Sequence, residues 1–505
     1  MIVSGPSARR RYSIRSDAMK LKLTPVFQSI LVVGLLGSLM CGCTAKKAPE
    51  VAPAAIPQGP GEVKLLVVDD PDMCAAIEQL RAEWKARTGT SIVISQVSSA
   101  ELTTAESLAE QPDAVIYPSR LLGTLAERKW IAPLPADFVS HRELAWSDTF
   151  ELLQIAETNW SKTPYAVPFG SPVLTCYYRP DLLEARRKSP PLSWQEYHEQ
   201  ADVLNRREDL GAAAPPADEA WYGSLQPLAA GWAGRVLLAR AAPYSKHRDH
   251  YSTLFEIETM EPLIAGAGFV RALEELVADA QLGPPNQIEM DADAVRREFL
   301  AGHAAFALTW PGHAGTKDEA NAKSVPTGFA ELPGSPVVYH FAHKSWEKRQ
   351  TDESWQVPLL GSAGRLGSIT AKGAEPAGAF QVLAWLAGHE WGPKVSSASP
   401  ATTLYRRSQI RTPQPWLDPG TDATAAQAYA TSVHDALNRQ QYLLTPRIPG
   451  EARYMEALDA AVHATLRQEK SPAEALKEAA AQWQAITESL GIDAQKSAYR
   501  SSLGL

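Results

Sequence analysis

Between Val63 and Trp130, short apolar runs alternate with helix-forming segments, and this alternation restricts the possible folds more than any other feature of the chain. Val63–Val68 (VKLLVV) reads as an apolar strand. Asp70 followed by Pro71 marks a helix start, with an acidic cap and proline at the first helical position. Ala76, Ile77, Leu80 and Trp84 then recur at helical spacing, and Gly89 closes the helix. Ser91–Val97 gives a second strand, Ser99–Glu110 a helix, Ala114–Tyr117 a third strand and Leu121–Trp130 a further helix. Alternation of this length produces a parallel sheet with right-handed crossovers. Ligands bind beyond the carboxyl ends of such strands, which places Asp69, Asp70, Ser98, Ser99 and Tyr117 around one crevice. The first turn, Asp-Asp-Pro-Asp, has no glycine and three acids. It therefore lacks the amide cradle of a phosphate site, while its carboxylates can accept hydrogen bonds from hydroxyls. Asp70 serves either as a cap alone or as both cap and ligand contact.

The N-terminal region fixes the compartment. Met19–Cys43 has basic Lys20 and Lys22, an apolar run over Val26–Met40 too short for a bilayer span of roughly 20 residues, and small residues after it. This is the pattern of a secretory signal, with either Met1 or Met19 as the start. Leu39-Met40-Cys41-Gly42-Cys43 resembles a bacterial lipobox, which implies cleavage before Cys43 and lipid on its thiol; the alternative is ordinary cleavage to a free secreted protein. Residues 1–43 thus read as a lipoprotein signal peptide. Residues 44–61, with prolines at 49, 53, 57 and 60, read as a stiff Pro/Ala tether. The remaining chain, about 460 residues, is long enough for two or three domains. Net charge is −8 over the whole chain; the signal carries +5, so the mature part sits near −13. An acidic body of this kind argues against nucleic acid as a partner. Only Cys74 and Cys176 remain beyond the anchor, either as a pair or as two isolated buried thiols.

Further along, Val173–Tyr178 is β-rich, and Ser193 with Glu196 and Ser471 with Glu474 form capping-box patterns. Glu298–Trp310 reads as helix end, glycine stop and apolar strand. Gly361–Thr370 is a glycine-rich strand region, followed by a helix over Ala377–Leu386. No nucleophile elbow, P-loop or zinc-helix motif is present. His340 and His343 lie three apart, but the sequence names no third ligand, so no metal and no cofactor is expected.

The ordered segments AEWKARTGTSIVI, PDAVIYPSRLLGTLAERKWIAPL, YAVPFGSPVLTCYYRPDLLE, PLSWQEYHEQADVL, REFLAGHAAFALTW, GSAGRLGSITAKGAEPAGAFQVLAWLAGHE and PRIPGEARYMEALDAAV resemble those of the family 1 extracellular solute-binding proteins. These are the sugar-binding components of ABC importers and include the maltodextrin-binding proteins. The resemblance implies an α/β, two-lobe periplasmic-binding-protein fold of type II kind, each lobe a parallel-dominated sheet flanked by helices. The N-terminal lobe would comprise 62–170 and 358–398, and the C-terminal lobe 171–357 and 399–505. Crossings would lie near Val167–Pro172, Val357–Gly361 and Ser396–Ala401. Tyr244–Glu261 and Pro336–Trp355 stand out as insertions and read as loops.

The resemblance also implies a site. Trp310 ends a strand where the family offers a stacking aromatic; Trp232 matches another such position or belongs to helix core. Tyr117 matches a stacking position of the maltodextrin branch, and Arg120 stands where that branch carries an acid. Tyr454 neighbours that branch's C-terminal-lobe aromatic, where Met455 stands. Of Tyr177 and Tyr178 one faces the cleft, and Tyr178 is taken as the candidate. Asp70, Tyr117, Arg120, Tyr178, Trp232, Trp310 and Tyr454 are therefore the expected ligand-binding residues. The implied role is capture of a sugar-like solute by a lipid-anchored, monomeric, non-enzymatic protein of the cell envelope and its delivery to a membrane permease. The alternatives are an envelope sensor or glycan binder without transport, and an envelope hydrolase.

Overall fold

A computed structural model describes residues 61–108, 111–211, 214–312 and 325–505. The signal region, Cys43 and the tether up to residue 60 lie outside the described residues. Among the described residues no helix is long and apolar enough to cross a membrane.

The first sheet has five strands. Strand β1 (Glu62–Val68) sits between β2 (Ser91–Val97) and β3 (Ala114–Pro118), parallel to both. Beyond β3 come Arg365–Ile369 and then Val167–Pro168, each antiparallel to its neighbour. Both faces of β1 are covered, which explains its apolar sequence. Val63, Leu65 and Val67 pack with Met73, Ile77 and Trp84 of helix α1 (Pro71–Thr88) and with Val382 and Leu383 of the helix Pro376–Leu386. Leu66 and Val68 face the opposite way. Helix α1 begins as its sequence dictates: the Asp70 carboxylate accepts from the Met73 amide at 3.0 Å, and Gly89 ends the helix at φ 78°. The helix expected to run from Ser99 to Glu110 is shorter. Ser98 and Glu101 form a capping box, the helix spans Ser99–Thr104, and Ala105 is already extended.

The second sheet runs Gly328–Glu331, Thr175–Tyr178, Ala304–Thr309, Tyr222–Leu225. Only its last pairing is parallel. Like the first sheet, it is mixed, with one strand running against the others, for a topological reason. Thr175–Tyr178 has just left the first sheet and runs outward, whereas its two neighbours run back toward the junction. The helices Ala233–Ser245, Ala267–Ala280, Glu451–Leu466 and Pro472–Leu490 pack together on this side, with Leu237, Leu273, Leu458 and Trp483 in one core. Cys74 and Cys176 are buried free thiols on different sheets' sides, so the isolated reading holds.

Within the described chain the backbone passes between the sheets at 169–174, 332–364 and 397–422. The apolar core continues across the junction, from Leu66 and Val68 through Leu366 to Trp310 and Tyr454. Of the two insertions expected to be loops, Pro336–Trp355 holds a two-stranded hairpin, Val337–His340 against Ser345–Lys348. Gly170, on the first passage, has φ 118°, and a Cβ there would sit 2.2 Å from the Thr403 carbonyl oxygen on the third. A side chain would both strain the backbone and push two passages apart. Gly170→Ala is expected to lower stability by about 2–4 kcal/mol in urea denaturation; an unchanged midpoint would show that the passages do not depend on this contact.

Candidate functional site

The carboxyl ends of β1, β2 and β3 point at the junction, because Arg365, the first residue after the second passage, pairs with Pro118 at the end of β3. The strand Ala304–Thr309 also runs toward the junction and delivers Trp310 there. The two sheets therefore present their loop-bearing edges to one another.

On the first-sheet side, the chain turns sharply after β1, with Asp69 at φ 52°, a conformation aspartate tolerates better than most residues. The Asp69 carboxylate accepts from the Ser99 amide at 2.8 Å and from the Ser99 hydroxyl. Asp70 does three things at once. One oxygen caps α1; the other lies 2.8 Å from Arg365 Nε and accepts from the Ser399 hydroxyl at 2.5 Å. Arg365 also donates through Nη2 to the Asp69 carbonyl at 2.7 Å. Burial pulls the Arg365 guanidinium down from its ordinary value, and the Asp70 charge opposes that shift. Arg120 donates to Ser99 Oγ at 3.2 Å and lies 3.6 Å from Asp69. Its Nη1 is buried without a partner among the described residues.

From Arg120 the network steps across the junction. Arg120 Nε is 3.9 Å from the carboxylate of Glu451, which opens the helix Glu451–Leu466 and is only 6 % exposed. An acid at a helix N-terminus is favoured by the helix dipole. Burial pushes the Glu451 carboxyl up, while the charges of Arg120 and Arg235 draw it back. Asp459, two turns further along that helix, accepts from the amides of Gly231 and Gly234 at 2.6 and 2.7 Å. It thereby fixes the start of the helix Ala233–Ser245 and the placement of its N-cap residue, Trp232. The Arg235 guanidinium lies 5.7 Å from the Trp232 ring, and Trp232 meets Trp310 at 5.1 Å with the rings tilted by 55°. Trp310 is 4 % exposed, and its indole N–H is buried without an acceptor among the described residues.

One continuous run of groups thus leads from Asp70 through Arg365, Asp69, Arg120, Glu451 and Arg235 to Trp232 and Trp310. Four of the expected residues, Asp70, Arg120, Trp232 and Trp310, belong to it. The other three do not reach it. Tyr117 alternates onto the interior face of β3, where its hydroxyl bonds Ser368 at 2.7 Å. Tyr178 lies at the outer end of its strand, opposite Phe306 rather than near Trp310, with its ring against Gly328. Its neighbour Tyr177 is buried among Phe299 and Phe329. Tyr454 is enclosed with Phe255 and Trp483, its hydroxyl 2.9 Å from Thr487. In this arrangement the Tyr117 and Tyr454 rings are packed as buried apolar area, and Tyr178 is half-buried away from the run. Arg406, on the third passage, is buried and donates to the carbonyls of Leu144 and Ala145.

Comparisons with known proteins bear on the family and the fold. The model of the bacterial extracellular solute-binding proteins matches residues 71–393, well over half of the chain. The chain belongs to that family. No curated protein matches it in sequence. Among solved structures, the solute-binding fold is shared with an ABC transporter solute-binding protein from Agrobacterium radiobacter K84 in complex with ribitol. That structure has TM-score 0.62 and 19 % identity, covering 85 % of this chain and 99 % of the other. Maltose-bound MalE3 from T. maritima gives TM-score 0.60 at 16 % identity, covering 84 % and 99 %. The sugar-binding protein MalE from Xanthomonas citri gives 0.60 at 18 %, covering 85 % and 98 %. Likeness at this identity establishes the two-lobe fold.

Asp70 should be the least replaceable acid of this solute-binding protein. Asp70→Ala removes a cap and leaves Arg365 buried without its counter-charge, which costs on the order of 3 kcal/mol or more. Urea denaturation checks this; a loss below about 1 kcal/mol, the value of a cap alone, would show that the ion pair is not stabilising.

Proposed function

We propose that this chain captures a neutral, polyhydroxylated small molecule, a sugar or sugar alcohol, between its two lobes and delivers it to an ABC-type permease. The supporting observation is the run of rings and charges from Asp70 to Trp310, which carries groups from both sides of the junction. Guanidinium and carboxylate groups suit hydroxyls, which donate and accept at the same oxygen. Two indole rings at the other end suit the C–H face of a sugar. Arg120 Nη1 lacks a partner among the described residues, and the Arg235 guanidinium makes no hydrogen bond to a described residue. Both supply donors for ligand oxygens. The neighbouring carboxylates of Asp69, Asp70 and Glu451 oppose a phosphate.

The ligands of the related structures, ribitol, D-mannitol and maltose, belong to the same chemical class. We place the lobes at 62–170 with 358–398 and at 171–357 with 399–505, opening and closing about the three passages. Ligand touching both lobes shifts the population toward the closed form. Trp310, almost enclosed in the present arrangement, becomes accessible when the lobes part. The protein acts as a monomer without turnover of its ligand, held at the membrane by lipid on Cys43.

A thermal-shift screen of neutral sugars and polyols against their phosphorylated counterparts tests the ligand class: stabilisation by neutral members is expected, and stabilisation confined to phosphorylated ones would reverse it. For a ligand so found, Trp310→Ala should weaken binding by about 1–3 kcal/mol in titration calorimetry. Equal affinity would remove Trp310 from the site, and hydrolysis of the ligand during the titration would favour an enzyme instead. Cys43→Ser should move the protein from the membrane to the soluble fraction of its host.

A further inference from the structure

The helix that starts beside Trp232 ends, about 20 Å away by its 13 residues, against the hairpin that the sequence reads as a loop. There the fold adds to His340 the partners that sequence spacing could not name. His247 and His250 follow the helix; His340 ends one hairpin strand, and Glu347 lies on the other. Ring nitrogens of His247, His250 and His340 all lie within 4.8 Å of one another, and His247 and His340 are almost fully buried, at 4 % and 6 % exposed. His250 Nε2 is 3.2 Å from His340 Nδ1, and His247 Nε2 is 3.4 Å from a Glu347 oxygen.

We infer that His247, His250, His340 and Glu347 form a binding site for one divalent transition-metal ion of the zinc class. Zinc bonds of roughly 2.0–2.1 Å in a tetrahedron place ligand atoms about 3.3 Å apart, and both measured separations match that edge. The rings converge closely: His340 Nδ1 is approached by His250 and by the His343 amide, each at 3.2 Å, and the ion would take the amide's place there. Three imidazoles and a carboxylate suit zinc, nickel or copper and not magnesium or calcium, which prefer all-oxygen shells.

The supporting framework exists without the ion. Arg349, just past the second hairpin strand, donates to the carbonyls of Pro243 at 2.7 Å and Ser335 at 3.1 Å, holding the hairpin to the helix end. The ion adds a second clamp between the same two elements. It is separate from the sugar site, so its success or failure says nothing about the ligand proposed above.

The test uses tag-free mature protein, because a histidine tag would itself bind the probe. After incubation with Zn2+ and exhaustive dialysis, elemental analysis should find one zinc per chain, and the melting temperature should rise relative to protein treated with chelator. His250→Ala and Glu347→Gln, at partly exposed positions, should each weaken Zn2+ binding at least about 10-fold. His340→Ala should abolish it, with circular dichroism confirming the fold. His343→Ala, whose exposed ring stacks on His340 at 3.8 Å, should leave affinity within about threefold. Absence of stoichiometric zinc, equal retention by folded His250→Ala and His340→Ala variants, or loss in His343→Ala alone would overturn the assignment.

Discussion

The Asp70–Arg365 pair is the interaction on which the junction depends. A buried guanidinium and a buried carboxylate are costly individually and tolerable only together, with their remaining hydrogen-bonding capacity filled. Here Asp70 also receives the first turn of α1 and the Ser399 hydroxyl, and Arg365 also holds the Asp69 carbonyl. The pair therefore ties the end of β1, the strand after the second passage and the segment of the third passage to one point. Three parts of the chain, of which the first and last lie 329 residues apart, are fixed by three side chains.

From that point the chemistry grades across the junction. Charged groups dominate near the first sheet, and indole rings dominate near the second. Arg120 and Glu451 sit between them. Behind these side chains lie a mixed five-stranded sheet on one side and a packed group of four helices on the other.

Much of this was legible in the sequence. The strand–turn–helix at Val68-Asp69-Asp70-Pro71 states its own geometry, since cap, proline and apolar run all agree. Trp310 is legible as the end of an apolar strand, while its place in a site came from the family resemblance. Trp232 and Arg120 came from the family resemblance. Arg235, Arg365 and Glu451 were not legible. Arg365 looks like a strand residue among glycines, and Glu451 looks like an ordinary acid at a helix start; only the fold brings them to Asp70 and Arg120. Tyr117, Tyr178 and Tyr454 stand apart from this run for a shared reason. Family position specifies which strand or helix an aromatic occupies, whereas a one-residue change of face decides whether it lines a gap or fills a core. The same limit hid the histidines: spacing can join His340 to His343 but cannot show that a helix end 90 residues earlier lies alongside.

Amide hydrogen exchange, with and without a sugar or polyol that stabilises the protein, tests the central claim most directly. Capture between lobes predicts slowed exchange on both sides at once: around Asp69 to Asp70 and Ser99 on one, and around Trp232 to Arg235 and Glu451 on the other. Protection confined to a single lobe, or located away from these segments while binding is saturated, would contradict the account.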